Sequence, residues 1–253
     1  MTHVISEEKA FEIVQEFLTD ILQISQDVLA LYVIGSLGGG YYRPGQSDID
    51  TAVIVRDNAA VTQEEVDQIA ESYQEKYHVP KGFGAILIRS SELLPPYTKS
   101  ETDEFEFTVE IARLKVQGKP VYGSLKLDDI KMPDKSDFIK DACIMENWFH
   151  REFGYPMFDK LQVTGCVNSI LGILRRYLMI EKHIFAFNKF KTIEIYLQND
   201  PPLVNQQAFE LIHRILRDEI MGNETDLQIL QACGIEFRDF FNQTLLGIDS
   251  RKL

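Results

Sequence analysis

The sequence has little of what several classes of protein require. Its 253 residues include three cysteines, which are Cys143, Cys166 and Cys233. Their number is odd, and no two of them have the CxxC spacing. This pattern favours buried thiols in a reducing compartment over a disulfide framework or a zinc site. There is also no signal-peptide pattern, and no run reaches the roughly eighteen apolar residues that a membrane span needs. We therefore expect a cytoplasmic protein without a membrane anchor.

Basic charge is scarce as well. The chain has 26 Lys and Arg against 39 Asp and Glu, which gives a net charge of −13 at pH 7. Up to Gly123 the count is 10 against 20, so this part alone carries −10. Because proteins that bind nucleic acid need a basic surface for the phosphates, we expect no nucleic-acid partner. The acidic surface suits a cationic small molecule, although it serves solubility equally well.

Two kinds of apolar pattern divide the chain. Continuous β-prone runs predict strands in LALYVIGS, DIDTAVIV and KGFGAILIRS, with a short strand at 120–122. Helical spacing predicts the other elements, which are 6–22, 61–77, 102–117, 136–153, 158–185, 189–197, 204–221 and 225–246. The sequence therefore predicts an α+β fold, in which a small mixed-sheet domain at residues 1–125 precedes an all-helical domain at residues 134–253.

The motif that carries chemistry lies in the first part. Gly35 and Ser36 end the first predicted strand, and Asp48 and Asp50 open the second. Because strand side chains alternate, the two carboxylates project from one face. Such a pair can hold Mg²⁺ or Mn²⁺ between a triphosphate and an attacking oxygen, and a Gly-Ser turn brings backbone N–H groups close to phosphate. We predict Asp48 and Asp50 as catalytic metal ligands, and Gly35 and Ser36 as nucleotide-binding residues.

The order of these features decides between this interpretation and a plain turn. An isolated DxD is common in solvated turns, but here it leads directly into the apolar run TAVIV. Other phosphate and hydrolase motifs fail. The stretch from Gly35 to Gly40 has the glycine spacing of a P-loop, yet Tyr41 and Tyr42 stand where Lys and Ser or Thr are needed. Neither GxGxxG nor GxSxG occurs.

Three stretches carry a family resemblance. GSLGGGYYRPGQSDIDTAVIV resembles the signature of the DNA-polymerase-β-type nucleotidyltransferases, and within them the streptomycin/spectinomycin-type aminoglycoside adenylyltransferases. NSILGILRRYLMIEKHIFAFNKFK is similar to that family's nucleotide-facing segment, which implies that Asn168, Arg175 and Lys189 bind nucleotide. The stretch 105–123 is similar too. The resemblance implies a nucleotidyltransferase domain at 1–125 that uses ATP with Mg²⁺ or Mn²⁺ and transfers AMP to a hydroxyl of a small acceptor.

The second stretch also concentrates basic charge in an acidic protein. Its five cations, which fall within 17 residues, are Arg175, Arg176, Lys182, Lys189 and Lys191. Arg175 and Lys182 are spaced to lie on one face of a continuous helix. Such a cluster can converge on phosphates, or it can be a solvated basic face, and the residues alone leave both readings open.

One departure from the family pattern keeps alternatives open. The family places a third carboxylate on the strand after the DxD strand, whereas GFGAILIRS has no acid and Ala85 lies near the expected position. Candidates for the group that deprotonates the acceptor are Glu106, Glu110, Glu146 and Glu152. Acids that could hold a cationic acceptor are Glu101, Asp103, Glu104, Glu106 and Glu110. The alternatives are a nucleotide-binding regulatory or interaction protein with weak or no catalysis, and a nucleotidyltransferase that modifies proteins.

Overall fold

Apolar strands form a four-stranded sheet in the first half of the chain. The computed structural model describes residues 4–79, 81–97, 107–153 and 157–247, and for 145–153 and 157 the backbone alone. Its strands are β1 (Val28–Ile34), β2 (Ile49–Val55), β3 (Phe83–Arg89) and β4 (Lys119–Gly123). They lie in the order β3-β2-β1-β4. β1 pairs antiparallel with β2 and β4, and β2 pairs parallel with β3, so the sheet is mixed as predicted.

Four helices accompany the sheet, and two of them begin at strong capping residues. The helices are α1 (Glu7–Ile24), α2 (Gly35–Gly38), α3 (Gln63–Tyr77) and α4 (Phe107–Gln117). The Ser6 side chain accepts from the Lys9 N–H at the start of α1, and Thr62 and Glu65 form a capping box at the start of α3. In the described part of the chain, the helix predicted at 102–117 begins at Phe107.

The two faces of the sheet are covered by different helices. The face that packs against α1 and α3 includes Leu31, Val33, Val53, Phe83, Ala85 and Leu87. The opposite face packs against α4 and includes Tyr32, Ile34, Ala52, Ile54 and Ile88, together with Phe107, Ile111 and Leu114 of the helix. Since side chains alternate along β2, Asp50 belongs to the face that α4 covers.

The described residues from Asp134 onwards form a second compact unit. Its helices are α5 (Lys135–Phe153), α6 (Val163–Tyr177), α7 (Thr192–Leu197), α8 (Gln206–Leu216) and α9 (Glu224–Phe241). Aromatic rings fill much of its core, for example Tyr196, whose ring meets those of Tyr177 and Phe209 edge to face. The described part of this unit contains no strand. The predicted α+β class, with a helical second half, is confirmed.

The helix predicted at 158–185 is interrupted at both ends. Met157–Lys160 is a 3₁₀ turn that precedes α6, and Leu178–Lys182 continues α6 as a π-helical turn. His183 then adopts the left-handed conformation, with φ of 56°, and ends the helix. This conformation is uncommon outside glycine, and a histidine marks it only weakly in a sequence. The prediction of one continuous helix was therefore wrong.

One described segment is long and apolar enough to cross a membrane. It is Val163–Lys182, 20 residues with a mean hydropathy of 1.2. Half of the segment is buried inside the unit, where Cys166, Ile170 and Leu174 belong to the core. The core helix of a soluble protein meets the same criteria of length and composition.

Candidate active site

The turn after β1 brings a glycine and a serine to the end of the sheet. Gly35 has φ of 61°, in the left-handed region that glycine adopts without strain. The Ser36 hydroxyl oxygen is buried and has no hydrogen-bond partner among the described residues. An unpaired buried hydroxyl costs about 1–3 kcal/mol, which a polar ligand at this point would recover. Both residues predicted for the nucleotide site therefore lie where a phosphate oxygen could be bound.

The glycines that follow have a different role. A Cβ on Gly38 would lie 2.5 Å from the backbone oxygens of both Val33 and Gln117. A Cβ on Gly39 would lie 2.3 Å from Cε1 of Tyr41. These glycines let α2 and the following loop pack closely against the end of β1 and the end of α4.

A turn delivers Asp48 to the start of β2. The Arg43 N–H donates to Ser47 Oγ at 2.9 Å, and the Ser47 N–H donates to the Arg43 carbonyl at 2.9 Å. Asp48 directly precedes β2, and both Asp48 and Asp50 are half-buried. Burial raises the pKa of the Tyr42 phenol, and the negative charge of Asp48 raises it further. The negative charge of Asp48 therefore lies close to a buried ring.

The Asp50 carboxylate fits between two glycines. In the sheet Asp50 lies opposite Ile34 of β1 and Gly84 of β3. A Cβ on Gly35 would be 2.3 Å from Asp50 Oδ2, and one on Gly84 would be 3.1 Å from Oδ1. The space for this carboxylate thus depends on glycine in the turn after β1 and on glycine in the neighbouring strand.

Helix α4 adds an arginine that the sequence motifs did not indicate. Arg113 Nη1 lies 3.0 Å from Glu110 Oε1, one turn away, and the two side chains are 23% and 10% exposed. Burial lowers the pKa of Arg113, but the negative charges of Glu110, Asp50 and Asp48, together with Tyr41, outweigh this and raise it overall. The arginine is therefore a cation within electrostatic range of both aspartates. The one sequence signal for it was an acid-base pair at i and i+3 in a largely apolar helix.

The position expected for a third carboxylate is corrected by the strand register. Ala85 pairs with Thr51 and packs in the core on the α1 and α3 side, so it points away from Asp50. Gly84 and Ile86 occupy the Asp50 face of β3 instead. Of the candidate bases, Glu110 is engaged by Arg113. The position of Glu106 and the side chains of Glu146 and Glu152 lie outside what the structure describes.

The residues at the start of β2 fit a magnesium or manganese ion. Mg²⁺ commonly takes one or two protein carboxylates and completes its shell with water and substrate phosphates. Asp48 and Asp50 supply two carboxylates. The buried Ser36 hydroxyl belongs to the residue after Gly35, which contacts Asp50. Within the described ranges, no three His, Cys, Asp or Glu side chains gather into a larger ligand set. The donor set therefore matches an ion that arrives with a nucleotide.

The residues predicted for nucleotide binding in the second unit lie on and after α6. Asn168 is exposed and Arg175 is half-buried, two helical turns apart on the same side. Gly172 lies between them, and a Cβ there would meet no described atom within 4 Å, whereas Nε and Nη2 of Arg175 are buried. Lys189 is exposed in the turn before α7.

The basic cluster of this segment is less uniform than its spacing suggests. The π-helical turn Leu178–Lys182 separates Arg175 from Lys182, so their seven-residue spacing no longer implies a shared face. Arg176 Nη2 is buried, so this guanidinium is not part of a fully solvated basic surface, and its burial lowers the pKa to about 10.

Comparisons with known proteins agree with this architecture. Residues 14–112 match the family model described as a nucleotidyltransferase domain. The spectinomycin adenyltransferase AAD(9) from Enterococcus faecialis, solved with ATP and spectinomycin, shares the fold with a TM-score of 0.62. The two are 16% identical, and the alignment covers 91% of this chain and 99% of that one.

A second solved structure is less similar, and the curated sequences give no match. A toxin–antitoxin structure with AMP-PNP aligns at 16% identity over 56% of this chain and 89% of that one, with a TM-score of 0.32. No curated protein matches the chain significantly. The family match, the mixed sheet and the placement of Asp48 and Asp50 at the start of β2 agree with one another. Residues 14–112 are therefore similar in sequence to nucleotidyltransferase domains, and the chain shares the fold of a solved adenyltransferase.

Proposed function

We propose that the protein is a metal-dependent adenylyltransferase, which moves AMP from ATP onto a hydroxyl of a small cationic acceptor such as an aminoglycoside, in the cytoplasm. The observation that carries the proposal is the site at the start of β2. There Asp50 lies between Gly35 and Gly84, close to a buried serine hydroxyl that is free to bind an anion. Mg²⁺ or Mn²⁺, when bound by Asp48 and Asp50, neutralises charge on the triphosphate.

The residues of the chain have separate tasks in this reaction. The acceptor oxygen forms a bond to the α-phosphorus, the bond from that phosphorus to the β-phosphate oxygen breaks, and pyrophosphate leaves while the acceptor releases a proton. Ser36 Oγ and the neighbouring backbone N–H groups hold phosphate oxygens. Asp48 and Asp50 would hold the ion, whose charge would offset the repulsion between these carboxylates and the triphosphate. Asn168, Arg175 and Lys189 are proposed to contact the nucleotide, a role supported by the family resemblance.

The direct test of this proposal is the melting temperature with nucleotide. ATP together with Mg²⁺ should raise it, because a ligand that binds the native state stabilises it by about 2.7 kcal/mol at a hundred times its Kd. For a chain of this size we expect a shift of about 5–10 °C. ATP with EDTA should give no shift, since Asp48 and Asp50 repel the phosphates without an ion.

If neither ATP nor GTP changes the melting temperature, with or without the ion, the proposed nucleotide site is wrong. A shift without pyrophosphate release from any acceptor would favour the regulatory alternative. The specific observation behind that alternative is that Gly84 and Ile86 leave the Asp50 face of β3 without an acid. Transfer of labelled AMP to protein instead of a small molecule would favour the protein-modifying alternative.

The acceptor should be recognised by its positive charge. The chain up to Gly123 carries −10, and carboxylates near a site attract cations over a range that shrinks as salt rises. We expect the apparent KM for an aminoglycoside to rise severalfold between about 50 and about 250 mM salt, as Debye screening strengthens. Initial rates with several acceptors, at fixed ATP and Mg²⁺, measure this.

A neutral sugar with similar hydroxyls is the matched control for charge, and it should not be used as an acceptor. If the best acceptor is uncharged or anionic, the charge argument fails even where transfer itself is observed. Of the acids predicted to hold the acceptor, Glu110 is buried against Arg113. The positions of Glu101, Asp103, Glu104 and Glu106 lie outside the described residues, so their role stays a prediction.

A further inference from the structure

Helix α4 presents a row of polar side chains towards the turn that holds the site. Glu110, Arg113 and Gln117 follow each other at intervals of three and four residues, so they lie on one face of the helix. At the end of this row the Gln117 side-chain N–H donates to the Tyr41 hydroxyl at 3.0 Å. The Gln117 backbone carbonyl packs against Gly38. The row therefore faces the loop between Gly35 and Asp48.

The middle of this row is Arg113, a half-buried cation on the helix that covers the Asp50 face of the sheet. Arg113 is bound to Glu110 at 3.0 Å, and its electrostatic partners include Asp50 and Asp48. A guanidinium cannot be deprotonated in a protein, so its charge is permanent. The charge of Arg113 therefore repels any other cation that binds to Asp48 and Asp50. It also stabilises the two carboxylates while no ion is bound.

We infer that Arg113 is a positioning residue, which supplies a resident positive charge to the Asp48–Asp50 pair and thereby sets how tightly this pair binds a divalent cation. The inference rests on the metal site of the proposed function. Glu110 has the opposite effect. Its carboxylate forms an ion pair with the guanidinium and offsets part of the positive charge. A weakened site would bind the ion chiefly together with the triphosphate, which brings its own negative charge and ligands.

The test is a titration of nucleotide-free protein with Mn²⁺, in which the electron paramagnetic resonance signal reports the free ion. Arg113→Met removes the charge and keeps an apolar side chain of similar length. We expect its Kd for Mn²⁺ to fall on the order of tenfold, since a unit charge is lost close to a divalent ion in a partly buried site. Arg113→Lys keeps the charge and should stay within about twofold of the wild type.

Glu110→Gln gives the reciprocal result. It removes the carboxylate that shares the guanidinium, so Mn²⁺ should bind several times more weakly. Opposite directions for Arg113→Met and Glu110→Gln mark an electrostatic role, because simple damage to the packing of α4 would weaken binding in both variants. Arg56→Met, which removes an exposed arginine that is 3.7 Å from Asp27, controls for net charge and should leave the Kd unchanged.

The failures can be told apart. If the wild type binds Mn²⁺ through Asp50, as shown by its loss in Asp50→Asn, and Arg113→Met binds no more tightly, this inference is overturned and the metal site stands. If neither the wild type nor Arg113→Met binds Mn²⁺, both are overturned. Tight binding that appears in Arg113→Met alone supports the inference. Should Arg113→Met fail to fold, the comparison of Arg113→Lys with Glu110→Gln decides the matter.

Discussion

Asp50→Asn should lower the rate of AMP transfer on the order of a thousandfold while the protein stays folded. The amide has the shape of the carboxylate, so it fits between Gly35 and Gly84, but it loses the charge that binds the ion. A bound ion contributes several kcal/mol to a transition state of this kind, and each ~1.4 kcal/mol is a factor of ten in rate. Asp48→Asn should show the same loss. Pyrophosphate release at saturating ATP and Mg²⁺ measures both.

The stability of the two variants separates loss of chemistry from loss of structure. Removing one aspartate charge relieves its repulsion with the other but deprives Arg113 of a partner, so we expect the melting temperature without nucleotide to change by less than about 4 °C. Asp27→Asn is the matched control, since Asp27 precedes β1 at the far end from Gly35 and makes an exposed ion pair. It should keep full activity. Normal turnover in both Asp48→Asn and Asp50→Asn would rule out the metal assignment.

The features that the sequence predicted well are those with a short repeat. Continuous β-prone runs predicted β1, β2 and β3 to within a few residues, and the alternation of side chains along a strand placed Asp50 on one defined face. The fold class followed from these strands and from the helical spacing after residue 134. Such patterns are readable because one turn of helix or one pleat of strand repeats every few residues.

What could not be predicted depends on contacts between distant segments. Whether Ala85 or Gly84 lies beside Asp50 is decided by the register between β2 and β3, and a shift of one residue reverses the face. Arg113 is 63 positions from Asp50 in the sequence, and it reaches the site because α4 packs over that face of the sheet. The left-handed turn at His183, which ends α6, has no glycine to announce it.

Two glycine substitutions after β1 should differ in their effects. We expect Gly38→Ala to lower mainly stability and Gly35→Ala to lower mainly activity. In Gly38→Ala the new Cβ would lie 2.5 Å from two backbone oxygens, so α2 must shift away from β1 and α4. We expect a loss of about 1–3 kcal/mol in the free energy of unfolding, as for other overpacked sites. In Gly35→Ala the contact is the flexible Asp50 carboxylate at 2.3 Å, and the left-handed φ adds about 1 kcal/mol of strain.

Gly35→Ala should therefore lose more activity than its stability suggests, because the methyl group displaces Asp50 from the position where it binds the ion. A displacement of about 1 Å in such a site is sufficient to lose about a hundredfold in rate. Gly172→Ala is the control for stability, since a Cβ there meets no described atom within 4 Å and alanine favours the helix by up to about 1 kcal/mol. Thermal melts without nucleotide, together with pyrophosphate release well below the melting temperature, compare the three variants. If Gly35→Ala keeps normal turnover, Asp50 does not depend on the space that this glycine leaves, and its carboxylate is not held in place for the reaction.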